Sequence, residues 1–173
     1  MKVRFMVKEI PLTRGMVAIV DDCDYTELAK HRWYAWKGGN AIYARRQFAG
    51  ENRTQRTIYM HRVILGAKPG QICDHVDGNA LDNRRQNLRF CTALQNRCNQ
   101  KHRQNGTSRF KGVSWHKCVG KWRADIGVNG RHLSLGHFEE EEDAARAYDR
   151  AAAIYQGEFV RLNFPCEVKK EAI

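Results

Sequence analysis

An aspartate directly followed by a histidine, Asp74-His75, sits in the short run Ile72-Cys73-Asp74-His75-Val76, just ahead of the turn Asp77-Gly78-Asn79. The unperturbed pKa of an imidazole lies nearest neutrality of any side chain, so His75 is suited to take a proton from water. Phosphodiester hydrolysis needs such a base. It also needs a cation to stabilise charge on the phosphate and on the leaving oxygen. Neighbouring residues of a strand point to opposite faces, so the two side chains converge on one phosphate only if the strand kinks after Asp74. By itself an Asp-His pair is most often structural and hydrogen-bonded; its surroundings decide its meaning.

The chain around this pair has 173 residues, of which 42% are hydrophobic, enough to bury the core of one ordinary domain or two small ones. Lys and Arg number 30 against 19 Asp and Glu, a formal charge of +11. Such an excess points to a polyanionic partner. No apolar run is long enough to span a bilayer, and Met1-Lys2-Val3-Arg4 is not followed by the apolar core expected of a secretory signal. Cysteines stand at 23, 73, 91, 98, 118 and 166 without a Cys-x-x-Cys pair, as expected of reduced thiols in the cytoplasm, with nucleoid association if the host is bacterial.

Residues 1–56 read as a strand-rich segment that packs on the centre. Met16 to Val20 is a β-branched run, Asp24 and Glu27 have the spacing of a capping box for a short helix to Ala29, and Trp33–Trp36 and Ala41–Ala44 flank a Gly38-Gly39-Asn40 hairpin turn. Arg45, Arg46, Arg53 and Arg56 suit either phosphates or a solvated edge. Ile72–Val76 reads as a strand, the polar stretch to Gln86 as loop, and Thr92-Ala93-Leu94-Gln95 as a capping box opening a helix to about His102.

Four elements then occur in order: Met60-His61-Arg62-Val63, Asp74-His75-Val76-Asp77-Gly78-Asn79, Leu81-Asp82-Asn83-Arg84 with Asn87-Leu88-Arg89, and Asn96. Residues 57–102 thereby resemble the HNH, or ββα-metal, nuclease motif of homing endonucleases. The resemblance implies that His75 is the general base, that Asp74 and Asn96 hold a divalent cation, and that Asn87 braces the loop that aims His75. Asn96 stands where the family name has a His, and Asn99, one turn on, is the fallback ligand. Oxygen ligands suit Mg²⁺ or Mn²⁺ better than Zn²⁺. Cys73, Cys91, Cys98 and His102 lack the paired knuckles of a structural zinc, which is not expected. Asp77, Asn79, Asp82 and Asn83 read as turn residues and His61 as a packing or hydrogen-bonding residue.

Residues 103–108 are polar and turn-rich, the expected linker. Beyond them Lys121–Val128 alternates, with Trp122, Ala124, Ile126 and Val128 facing one way. Asn129-Gly130 is a hairpin turn, Leu133 and Leu135 continue the apolar face, and an Ala-rich helix follows from about Glu140 to Gln156, its acidic first turn suited to the helix N-terminus. From Arg97 to Arg131 there are nine Lys or Arg and one acid, Asp125. Alternation puts Lys111, Ser114, His116, Lys121, Arg123, Asp125 and His132 outward.

Phe110-Lys111-Gly112-Val113, Gly120-Lys121-Trp122-Arg123-Ala124, Leu135-Gly136-His137-Phe138, Glu142 through Ala152 and Leu162-Asn163-Phe164-Pro165 resemble the plant APETALA-two/ethylene-response-factor DNA-binding domain. The resemblance implies a three-stranded sheet that enters the major groove. Ser114 and Ser134 replace base-reading positions, so the family's target sequence does not carry over. The DNA-binding candidates are Lys111, Arg123, Lys121, Ser114, His116, His132 and Arg109.

The expected fold class is α+β: a ββα-metal nuclease core (57–102) followed by a three-stranded antiparallel sheet packed on one helix (109–165), with a tail at 166–173. The expected function is metal-dependent cleavage of double-stranded DNA of the homing or mobile-element type, by a monomer or weak dimer without membrane contact. A single centre in a monomer more naturally nicks one strand. The alternatives are a non-catalytic DNA-binding regulator and an RNA binder; the sheet lacks the stacking aromatics of common RNA modules.

Overall fold

The computed structural model describes residues 6–49, 55–101 and 106–168. The chain forms two compact units, 1–93 and 94–173. Among the described residues no helix is long and apolar enough to cross a membrane.

In the first unit β1 (Val7–Pro11) and β2 (Val17–Asp21) form an antiparallel hairpin and α1 (Asp22–Ala29) follows. A three-stranded antiparallel sheet comes next, β3 (Tyr34–Gly38), β4 (Ala41–Ala49) and β5 (Gln55–Tyr59), then the short α2 (Met60–Ile64). The pair β6 (Ile72–His75) and β7 (Leu88–Cys91) closes the unit. Ala18, Val20, Leu28, Trp33, Met60 and Ile64 lie in its core. Trp33 satisfies its indole N–H on the Leu28 carbonyl at 2.8 Å, which removes the penalty of burying that donor. Alternation divides the three-stranded sheet: Ala35 and Ala44 face the core, whereas Trp36, Tyr43, Arg45 and Tyr59 share the opposite face. Arg45 lies over the Trp36 ring at 4.5 Å and Arg46 over Trp33 at 5.6 Å, so both guanidiniums stack on aromatics. Arg53 lies outside the described residues.

The helix expected to be capped by Asp24 starts earlier, at Asp22, with Asp21 as its N-cap residue and no side-chain capping bond. Asp24 is occupied otherwise: Arg85 donates Nε and Nη2 to its two oxygens at 2.8 and 2.7 Å, a charge-assisted fork stronger than a cap.

In the second unit β8 (Val113–His116), β9 (Lys121–Val128) and β10 (Arg131–Phe138) form an antiparallel sheet in the order β10-β9-β8, covered by α4 (Glu141–Gln156). This is the three-strands-on-one-helix arrangement the alternation implies. Asn129 (φ 49°) and Gly130 (φ 78°) make the β9–β10 turn with positive φ at both centres. Val113, Ala124 and Ile126 pack on Ala144, Ala145, Tyr148 and Ala152. The small α4 residues let helix and sheet approach closely. Gly112 (φ +76°) is required where β8 begins, because a Cβ there would lie 1.9 Å from Tyr148 Cδ2. Among the described residues the tail begins with a short helix, α5 (Pro165–Val168).

One boundary differs from expectation. The helix α3 (Ala93–Asn99) follows β6 and β7 in the order of a ββα motif, but from Leu94 onward it belongs to the second unit. The division therefore falls ahead of the expected 103–108 linker, of which 103–105 lie outside the described residues. The physical reason is at the end of α3: the Cys98 carbonyl accepts hydrogen bonds from Lys111 Nζ and from the Arg161 N–H, the latter at 3.2 Å. The fold is thus mixed, with antiparallel sheets and several helices.

Candidate active site and nucleic-acid interface

The Asp74-His75 pair lies at the end of β6, where the ladder sets Asp74 opposite Arg89 and His75 opposite Leu88. Both are buried, at 8% and 6% exposure. Arg89 donates Nε and Nη2 to Asp74 Oδ2 at 3.1 and 2.9 Å, so the buried carboxylate is charge-compensated. After His75 the chain leaves the ladder at the turn marked by the Gly78 N–H to His75 carbonyl bond of 2.9 Å.

Asn87, buried beside this loop, ties it at two points. Its Oδ1 accepts from the Asp77 N–H at 3.0 Å, while its Nδ2 donates to Asp77 Oδ1 at 2.9 Å and to the Asp82 carbonyl at 2.8 Å. Arg84 donates to both Asp82 oxygens, at 2.8 and 2.5 Å, which holds the Asp82 carboxyl below its ordinary range. Asn83, a turn residue by its sequence context, is fully buried, and its Oδ1 stands 3.5 Å from His75 Nε2.

Aromatic side chains wall the imidazole. The His61 ring meets His75 edge-on at 5.0 Å between centroids, and Tyr43 lies 6.2 Å away. His61 and Tyr59 are 5.6 Å apart, which links the site to the aromatic face of the β3–β4–β5 sheet. Burial pushes His61 down to about 3, with His75 and Arg62 adding repulsion. Burial also pushes His75 below the ordinary imidazole range, against an upward pull from the Asn83 hydrogen bond and from Asp74, Asp77 and Asp82. A neutral imidazole beside a carboxylate is competent to accept a proton.

The remaining expected ligands are on α3, where Asn96 is half-buried and Asn99 is buried. Among the described residues no three His, Cys, Asp or Glu side chains cluster to hold a metal ion. The oxygen donors named for one are thus a single carboxylate and an amide.

In the second unit the outer face of the sheet is set by register: Ser114 pairs with Arg123, His116 with Lys121, His132 with Gly127 and Ser134 with Asp125. A bulge between Ser134 and Gly136 shifts the alternation, so His137 pairs with Arg123 and joins this face, 5.1 Å from His116 between ring centroids. Simple alternation along β10 misses His137; the Leu135-Gly136 step, with Gly136 at φ 120°, is the signal that could have found it. The face's two cations are paired, Arg123 with Asp125 at 2.6 Å and Lys121 with Glu139 at 2.7 Å. Trp115 is exposed and meets Trp122 edge-on at 5.1 Å. Two candidates lie elsewhere. Lys111 precedes β8, and with its ammonium on the Cys98 carbonyl, burial holds it below the ordinary lysine range. Arg109 bridges to Glu142 at the start of α4.

The first unit thus carries a buried His beside an ion-paired Asp on a loop tied by an Asn, and the second unit is a three-stranded sheet on one helix. Comparison with known proteins gives the family. Residues 108–158 match the AP2 domain family. The chain is 31% identical over 151 residues to a protein of Acanthamoeba polyphaga mimivirus named as an uncharacterized HNH endonuclease, covering 87% of this chain and 76% of that one. It is 33% identical over 109 residues to Protein 3.8 of Escherichia phage T7, covering 62% of this chain and 89% of that protein. APETALA2-like protein 2 of Oryza sativa subsp. indica is 46% identical over 61 residues, 34% of this chain, and the match spans only 14% of that plant protein. The chain belongs to the HNH endonuclease family.

Proposed function

We propose that the protein is a metal-dependent DNA endonuclease of the homing or mobile-element type, in which the cutting centre forms around Asp74-His75 and the three-stranded sheet of the second unit supplies the grip on duplex DNA. The observation that carries this reading is the buried Asp74-His75 pair on a loop tied by Asn87, in a chain of the HNH endonuclease family. His75 removes a proton from the attacking water. Asn87 keeps the 77–82 loop folded so that the imidazole stays aimed. Asp74 and Asn96, with Asn99 as the alternative, would hold one Mg²⁺ or Mn²⁺; one carboxylate, an amide and the substrate phosphate suit a hard cation. When bound, such a cation supplies charge stabilisation at the phosphate and the leaving oxygen.

Duplex DNA would meet the outer face of the sheet, through Arg123, Lys121, Ser114, His116 and His132, with His137 added by the bulge. Tethering two weak binders raises the effective concentration of each, which favours one defined register of cutting. The working form is a monomer or weak dimer in the cytoplasm, and one centre nicks one strand.

The test is incubation with supercoiled plasmid and Mg²⁺ or Mn²⁺, with and without EDTA. Nicked product that EDTA abolishes is expected, and His75→Ala should lower the cleavage rate by about 10²-fold or more while DNA binding persists. Absence of any nicked or linear product with every divalent cation tried would leave the non-catalytic DNA-binding reading in its place.

A further inference from the structure

We propose that Asn83 is the positioning residue that fixes both the tautomer and the ring angle of His75, and that the N-terminal hairpin β1–β2 holds Asn83 in place. The functional meaning of this rests on the nuclease reading above; its structural content does not.

Asn83 has no exposed surface, and three of its polar groups are engaged. Its backbone N–H donates to the Ile19 carbonyl at 2.7 Å. Its Nδ2 donates to the Leu81 carbonyl at 3.1 Å. Its remaining end stands 3.5 Å from His75 Nε2. The two ends of an amide have nearly the same shape, so which one faces a neighbour follows from the hydrogen-bond network. Here the network is decisive. A carbonyl only accepts, so the end toward Leu81 is the NH₂ and the end toward the imidazole is the oxygen. An amide oxygen also only accepts, so His75 Nε2 must carry the hydrogen. Only an uncharged ring can serve as the base, and such a ring has one hydrogen, so the base form of His75 has its lone pair on Nδ1. On the nuclease reading, Nδ1 is the atom that takes the proton from water.

The aim of Asn83 comes from far away in sequence. Ile19 brackets its loop on both sides: the Ile19 N–H donates to the Leu81 carbonyl at 2.8 Å while the Ile19 carbonyl receives the Asn83 N–H. The flanking Ala18 and Val20 are fully buried in the core, so β2 cannot slide without unpacking it. His61, edge-on to the imidazole, restricts the ring on another side. A hairpin that touches no reacting atom thus decides which nitrogen of His75 is the base.

The test is long-range ¹H–¹⁵N correlation on the full chain with ¹⁵N-labelled histidine at neutral pH, the His75 signals being assigned by their loss in His75→Gln. The expected pattern is a protonated Nε2 and an unprotonated Nδ1. Asn83→Leu keeps the volume and removes the acceptor. It should yield a mixture of tautomers and lower kcat for plasmid nicking by about tenfold or more, with KM for DNA within about twofold. A wild-type His75 protonated on Nδ1 overturns the proposal, as does a folded Asn83→Leu protein with the wild-type tautomer and kcat within about twofold. If Asn83→Leu does not fold, the wild-type spectrum decides. If the wild type cuts no plasmid with any divalent cation, the nuclease reading fails while the tautomer result stands separately.

Discussion

Two buried polar contacts in the first unit set measurable energies. Asp74 and Arg89 form an ion pair largely withdrawn from water, with side-chain exposures of 8% and 16%. Removing one partner of such a pair strands the other charge, so Arg89→Met should cost about 3 kcal/mol in urea unfolding. His61 gives a pH dependence. Its folded pKa of about 3 lies below the ordinary value of 6.5, so the unfolded chain binds the proton more readily. The stability this supplies is complete above pH 6.5 and is lost as pH falls toward 3, at up to about 1.4 kcal/mol per pH unit. Urea midpoints of wild type and His61→Phe measured across that range should show the shallower slope in the variant. Asp74, His75 and Asn87 could be singled out in the sequence because their types and order suit chemistry, and the structure places them beside one loop. Asn83 could not be: within Leu81-Asp82-Asn83-Arg84 it has the composition of a turn, and its tie to Ile19 comes from far away in the sequence.

At the scale of elements, legibility followed local chemistry. The Asn129-Gly130 hairpin and the Ala-rich α4 were readable because turn residues and periodicity are local signals. β1, β5 and β7 were not. β1 is Val7-Lys8-Glu9-Ile10-Pro11, with charges and a proline that only an edge strand accepts, and its pairing with β2 supplies the order its pattern lacks. β7 becomes a strand by pairing with β6. Gly112 offers the cleanest test of how an element is seated. Gly112→Ala combines a disfavoured φ with a clash against Tyr148 on α4, and should destabilise the second unit by about 2 kcal/mol or more. Thermal unfolding should show the loss in the transition of the second unit, whose buried clusters hold Val113, Ile126 and Tyr148.

For the whole molecule, the +11 charge sets the terms of association with a polyanion. Affinity for duplex DNA should fall linearly in log–log form as salt rises, by about 0.9 per phosphate neutralised. If Arg123 contacts a phosphate, Arg123→Ala flattens that slope by about one. If it contacts a base edge, the slope is kept and discrimination between sites drops instead. Titrating fluorescent duplexes at several salt concentrations separates the two.

The paired cations of the sheet's outer face, Arg123 with Asp125 and Lys121 with Glu139, carry a further consequence. A passing phosphate finds each cation already answered by a carboxylate, and approach brings its own charge against Asp125 and Glu139. Where duplex DNA meets this face as proposed, a random sequence gains little, and only a groove whose donors replace those lost by the carboxylates is rewarded. The masking makes the face a poor glue and a better judge, so indiscriminate retention falls to the basic residues outside it.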